Sequence, residues 1–328
     1  METKQAKVVV SMLALVVLPL LSLSGQAAES QEFVPLEADI AVLTDDGPRT
    51  PISSVPRTIT SSGSYYLTKD LQTTSGSQNA IVVDADNVTI DLMGFSLIGR
   101  GAGDGCGIFM NGRDNVEIRN GTVRNFGSDG IREAKNPTEE SPSFGYAHRV
   151  ISIRALFNKG DGIELCGIGH LVRDCSAMSN GVDGIYVGAL STVTGNITSL
   201  NAAHGIELTD GCAASSNTSV ANQLNGIWTW NGCSVMSNTL YGNGCGIYVS
   251  EKGSFVKGNT LRNNLAYNIF VKGTDNAIEE NLVTYSEYGI RFDSSSSGNF
   301  YANNRAAGNT YNFSNTSGQI DGGGNVSF

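Results

Sequence analysis

Four residues in the same repeated setting carry the first hint of chemistry. Asp129, Asp161, Asp183 and His204 each stand immediately before one of the pairs Gly130-Ile131, Gly162-Ile163, Gly184-Ile185 and Gly205-Ile206. If residues in that setting stack, three carboxyls and an imidazole form one row with neighbours about 5 Å apart. Carboxylates that close repel when both are ionised, so at least one keeps its proton to higher pH, as a general acid requires. Asp161 and Asp183 are then the candidate acid and base, with His204 orienting a water or holding substrate and Asp129 extending the row. Trp228 and Trp230, one repeat beyond His204, alternate along one segment and share a face, as a sugar-stacking platform or as apolar filler. Lyase or epimerase chemistry on a uronate needs a cation for its carboxylate, and Arg132, His148, Arg149 and Lys159 are the nearby candidates. The same row has a structural reading, because a short polar residue before glycine caps a turn by binding nearby backbone amides.

The row means something only if the repeat is a structural period. Gly-Ile recurs at Gly107-Ile108, Gly226-Ile227, Gly246-Ile247 and Gly289-Ile290 as well, with Asn268-Ile269 filling the missing step. The interval is about 21 to 22 residues except between Gly130 and Gly162. Two asparagine series keep the same beat: Asn196, Asn217, Asn238, Asn259, Asn281 and Asn303, and Asn158, Asn180, Asn201, Asn222, Asn243 and Asn264. Around each pair the apolar pattern alternates, as in Gly-Ile-Glu-Leu at 162–165 and Gly-Ile-Tyr-Val at 184–187, which is strand periodicity. The runs are too short and too rich in Gly and Asn for helices. Each period is therefore one coil of two or three short strands, pairing in parallel with the coils above and below.

The asparagines fit that picture as turn residues that tolerate a left-handed backbone and bond to their copy one coil away. Cys212 and Cys233 fall one coil apart at equivalent positions, within reach of a disulfide or as a reduced stack. No Cys-His spacing suggests zinc, and only His148, His170 and His204 are available.

Lys4 and Lys7 precede an apolar run from Val8 to Leu23, and Gly25-Gln26-Ala27 offers small residues for cleavage. Residues 1–27 read as a signal peptide of a secreted or periplasmic protein. Residues 28–56 read as a linker or cap, and 57–328 as the solenoid, with an inserted loop near 132–149. No later stretch is long and apolar enough to span a bilayer. With charged residues at 16% and a net charge of −10, no basic stripe is present to neutralise phosphates, which argues against nucleic acid. A calcium ion on the aspartate row would lessen the same objection to an acidic glycan.

The strings NxxDGIxL, GNxxxxN and ADNVTIDLxGFxLxG resemble the right-handed β-helix repeat superfamily, which shares its fold with pectate lyases and polygalacturonases. The resemblance runs from about residue 58 to 316 and implies an all-β, single-stranded right-handed parallel β-helix of about ten or more coils. Polygalacturonases carry an Asp in NTDG, an Asp pair one coil later and a His in GHG after that. This chain shows NKGDG, NGVDG and NAAHG in the same order. That resemblance implies Asp161 and Asp183 as acid and base of glycosidic hydrolysis, with His204 in support. Val182 replaces one Asp of the pair, and the family's Arg-Ile-Lys string has no counterpart after His204. The expected function is to bind or cleave a polysaccharide, as hydrolase or lyase. The alternatives are a non-catalytic carbohydrate-binding or surface solenoid, and a periplasmic accessory protein for metal-cofactor maturation.

Overall fold

The protein is described here by a computed structural model covering residues 49–134 and 144–328. The expected signal segment, residues 28–48 of the expected cap and residues 135–143 of the insertion lie outside the described residues. Every regular element among the described residues is a strand.

Three short strands make one coil, as in Thr192–Thr194, Ile197–Ser199 and Ile206–Leu208. The last strand of each coil stacks into a 12-stranded sheet running from Arg57–Ile59 to Tyr311–Ser314. The other two form side-by-side ladders of a second sheet, bent where the chain turns between them. All pairing is parallel, and the register Ile163↔Ile185↔Ile206↔Ile227 makes the sequence period one turn of a right-handed solenoid. Thr50–Ile52 already pairs with Gly63–Leu67, so the stack begins ahead of residue 57.

Each coil contributes alternate residues inward. Ile131, Ile163, Ile185, Ile206, Ile227, Ile247, Ile269 and Ile290 are all fully buried in one continuous column. Except at Asn268-Ile269, a glycine stands before each of these isoleucines, where the coils come close. A Cβ on Gly184 would lie 2.6 Å from the Gly205 carbonyl and 2.7 Å from the Asn201 amide nitrogen.

Polar side chains satisfy the corners, where strand pairing is interrupted. Asn217 Oδ1 accepts the Asn196 backbone N–H at 2.9 Å, and its Nδ2 donates to the Val193 carbonyl at 2.9 Å and to Asn238 Oδ1 at 3.0 Å. The second series, Asn158 to Asn264, does the same at the next corner. The first series ends on Asn304 and Asn325 rather than Asn303. Asn303 is the left-handed residue just ahead of the corner, at φ +56°, like Ser216 and Ser237. Where the second series meets Ser286, too short to bridge, Asn268 reaches across to Asn264 and Asn309.

A third corner carries mixed residues: His148, His170, Ser191, Cys212, Cys233, Ser254, Asn276, Asn299 and Gln319. Most present a side-chain acceptor to the backbone N–H one coil earlier. Cys212 and Cys233 are members of this column and both are free thiols, donating to the Gly188 and Thr209 carbonyls.

Candidate functional site

The chemistry-bearing residues collect on the outer face of the 12-stranded sheet and on the turn leading into it. The turn carries the aspartate row. Asp129 Oδ1 accepts the Asp161 N–H at 2.6 Å, Asp161 Oδ1 that of Asp183 at 2.6 Å, and Asp183 Oδ1 that of His204 at 2.7 Å. His204 Nδ1 closes the series by accepting the Asn225 N–H at 3.2 Å. The row is thus a column of turn caps, and each aspartate keeps its other oxygen for a second role.

A parallel column runs beside the row, and of its members only Arg132 and Trp228 were singled out from sequence, while Glu164, Tyr186 and Glu207 were not. The register Arg132↔Glu164↔Tyr186↔Glu207↔Trp228 sets these outward side chains one coil apart beside the row. The signal was in the repeat: Glu164 and Glu207 are the polar residues of the two Gly-Ile-Glu-Leu segments, the alternate positions that point away from the core.

Together the two columns form a carboxyl cluster. Oxygens of Asp129, Asp161 and Glu164 lie within 4.8 Å of one another, as do donor atoms of Asp183, His204 and Glu207. Burial, reinforced by the charges of Asp183, Asp129 and Glu164, pushes the Asp161 carboxyl up to about 8. Burial also raises Asp183, the adjacent negative charge of Glu207 raises it further, and burial raises Glu207 as well. The Trp230 indole also hydrogen-bonds Glu207. Burial lowers His204 to about 4, leaving it neutral. With Nδ1 engaged as an acceptor, His204 presents Nε2–H as a donor, which suits holding a substrate hydroxyl better than taking its proton.

Arg132 joins this face, its guanidinium 3.3 Å from both Asp129 and Glu164. It bridges those two carboxylates at one end of the aspartate row. Trp228 and Trp230 do share the outer face, with ring centroids 6.3 Å apart, and Trp228 lies 4.7 Å from the His204 ring. Beyond them the face turns aromatic, with Tyr248, Phe270 and a stack of Tyr267, Tyr288 and Tyr311. Lys159 is exposed in the turn two residues before Asp161, without an ion pair among the described residues.

The expected substrate-binding role of His148 is corrected by its position. His148 is fully buried and points into the solenoid, because it occupies a corner position whose side chain must reach inward to cap backbone. It stacks on His170 at 4.9 Å, and the two Nε2 atoms lie 3.5 and 3.3 Å from the oxygens of buried Glu133. Glu133 also accepts the Gly167 N–H at 2.9 Å. Both Nδ1 atoms accept backbone N–H groups, so in the neutral rings Nε2 carries the proton and offers no lone pair to a metal. These contacts hold Glu133 down to about 2 against the cost of its burial. Arg149 projects on the other sheet, beside Glu117.

Fold and face define a parallel β-solenoid with a carboxyl cluster on its outer surface. The family model described as a right handed beta helix region matches residues 73–244, more than half of the chain, and the chain belongs to that family. A second model, described as periplasmic copper-binding protein (NosD), matches residues 213–322. No curated protein matches the chain in sequence. Among solved structures, the periplasmic alginate epimerase AlgG double mutant superposes with a TM-score of 0.61 at 14% identity, over 82% of this chain and 76% of that one. The mannuronan C-5 epimerase AlgE6 A-module of Azotobacter vinelandii gives 0.58 at 16% identity, over 85% and 90%. The Dettilon tailspike protein gives 0.59 at 15% identity over 77% of this chain, which spans 59% of the tailspike's length. At such identities the likeness is one of fold.

The copper suggested by the second model would have to take Met236 and two buried thiols as its sulfur donors. Residues 213–322 contain Cys233 and Cys245 and no histidine. Both thiols are buried and raised by that burial, and they sit on different turns of the coil.

Proposed function

We propose that this chain is an exported protein that binds a polysaccharide along the outer face of its 12-stranded sheet and hydrolyses it at the carboxyl cluster. The observation that carries this reading is the Asp183–Glu207 pair beside Trp228 and Trp230: two carboxyls with donor atoms within 4.8 Å of each other, both raised by burial, next to exposed aromatic surface. Glycosidic hydrolysis requires both a protonated acid and an ionised carboxylate. Glu207 thereby supplies the second carboxyl that Val182 does not. Hydrolysis is favoured over elimination because Arg132, the cation in the cluster, is already engaged by two carboxylates. Export is supported by the apolar run from Val8 to Leu23 and by the likeness of residues 213–322 to a periplasmic protein family.

A second reading, binding without turnover, is favoured by one observation: Asp129, Asp161 and Asp183 all spend one oxygen on capping the next coil. Reducing-sugar release and absorbance of unsaturated products across a polysaccharide panel separate the two. Hydrolysis predicts reducing ends without unsaturated products, and Glu207→Gln or Asp183→Asn lowers turnover by about 10²–10⁴-fold while binding persists. Turnover unaffected by both variants would refute the assignment, and Trp228→Ala should weaken binding in either reading.

A further inference from the structure

We infer that a cleft on the N-terminal flank of this face is a second binding site, selective for an oxyanion group such as a sulfate, phosphate or carboxylate. The cleft has a volume of about 420 Å³ and is lined by Gln72, Ile98, Gly99, Arg100, Gly101, Arg124 and Asn125. It sits at the start of the same turn that ends, four residues after Asn125, in Asp129.

Charge is the first argument. The chain carries a net charge of −10, and its neighbouring arginines are neutralised. Arg113, Arg119, Arg132 and Arg149 lie 2.6, 3.1, 3.3 and 3.6 Å from carboxylates. Arg100 and Arg124 share one cleft, have no carboxylate among its lining residues and form no ion pair among the described residues. Two arginines lining one concavity bring like charges together, which an anion between them would neutralise, and the planar donor fork of arginine matches a carboxylate, sulfate or phosphate.

Shape is the second. The walls at Gly101 and Asn125 are left-handed turns, at φ +74° and +60°, and the space where Gly101 would carry a side chain is open. Gln72 also lines the cleft. Since a water occupies roughly 30 Å³ of liquid, the cleft has room for an anionic group together with part of the molecule that bears it. An acidic sugar unit is the ligand class that fits, and only this choice of bearer rests on the polysaccharide reading above.

Isothermal titration of the full chain tests the site with sodium sulfate, inorganic phosphate, a sulfated oligosaccharide, a uronic-acid oligosaccharide and a neutral oligosaccharide. The expected result is binding of at least one anionic oligosaccharide that weakens with added salt and falls at least tenfold in Arg100→Gln/Arg124→Gln. Glu207→Gln should leave that binding intact, so loss of turnover and loss of anion binding are read separately. Binding of the inorganic ions alone, equally dependent on the two arginines, would support the site with a free oxyanion as its ligand. No anion binding by the wild type, or equal binding by a double variant with an unchanged melting curve, would overturn it.

Discussion

Replacing Glu133 with methionine, the residue its register partner Met110 carries one coil earlier, should destabilise the solenoid by about 3 kcal/mol at neutral pH. Methionine fits the column sterically, so the loss is electrostatic. The Gly167 N–H, which donates to Glu133 at 2.9 Å, would face an apolar side chain, and the buried Nε2 atoms of His148 and His170, 3.5 and 3.3 Å from its oxygens, would lose the carboxylate beside them. Each unsatisfied donor costs about 1–3 kcal/mol, partly offset by about 2 kcal/mol from burying the methionine. A second route reaches a similar figure. Glu133 is held at about 2 against an ordinary 4.5, and each pKa unit is worth about 1.4 kcal/mol, or roughly 3 in all. Because its exposure is 1%, solvent screening takes little from this. The folded-state pKa is depressed, so the contribution is complete above the ordinary value of 4.5 and is lost as pH falls towards about 2. Urea denaturation followed by circular dichroism should therefore show a gap between wild type and variant that is full at neutral pH and closes in acid. Adding His148→Asn and His170→Asn should recover most of the loss. Asparagine at this corner, as in Asn276 and Asn299, sends its amide to a backbone carbonyl and needs no interior acceptor. Equal stability of wild type and Glu133→Met, or no recovery in the triple variant, would refute the reasoning.

Two further outcomes follow from the same geometry. Asp161 and Asp183 have raised carboxyl pKa values, so the stability they contribute is complete below the ordinary aspartate range and is lost as pH rises through neutrality. The melting temperature should be higher near about pH 5 than near about pH 9, and a lack of flattening in Asp161→Asn/Asp183→Asn would count against it. Asn217→Ala removes the cap on Asn196 and the bond to the Val193 carbonyl, and should cost about 2–4 kcal/mol in urea titration. Asn303→Gly, at a left-handed position outside the column, should cost less than about 1 kcal/mol, and equal effects would mean the corner register is misassigned.

The architecture was legible because a solenoid turns sequence recurrence directly into position. Gly-Ile spacing gave the coil, and alternation around it gave the inward face. Asp129, Asp161, Asp183 and His204 stack in the order their spacing implied, and Trp228 and Trp230 share a face. Asn303 was misread because the last coils lengthen by a residue or two, and two adjacent asparagines both fit the beat. Glu164 and Glu207 were overlooked because attention rested on the column before each glycine, although the same alternation sends them outward.

Stacking order and the inside-outside sense of each strand were therefore set by the linear chain, since parallel coils of nearly constant length leave one register that buries every isoleucine. What needed the folded coordinates was the interplay between columns. Sequence spacing relates residues along the axis of the solenoid, whereas the pairing of Asp183 with Glu207, the seat of Arg132 between two carboxylates and the inward turn of His148 towards Glu133 depend on directions across it. Those directions are fixed by side-chain geometry at the corners, where a residue points inward or outward according to which backbone amide it must satisfy.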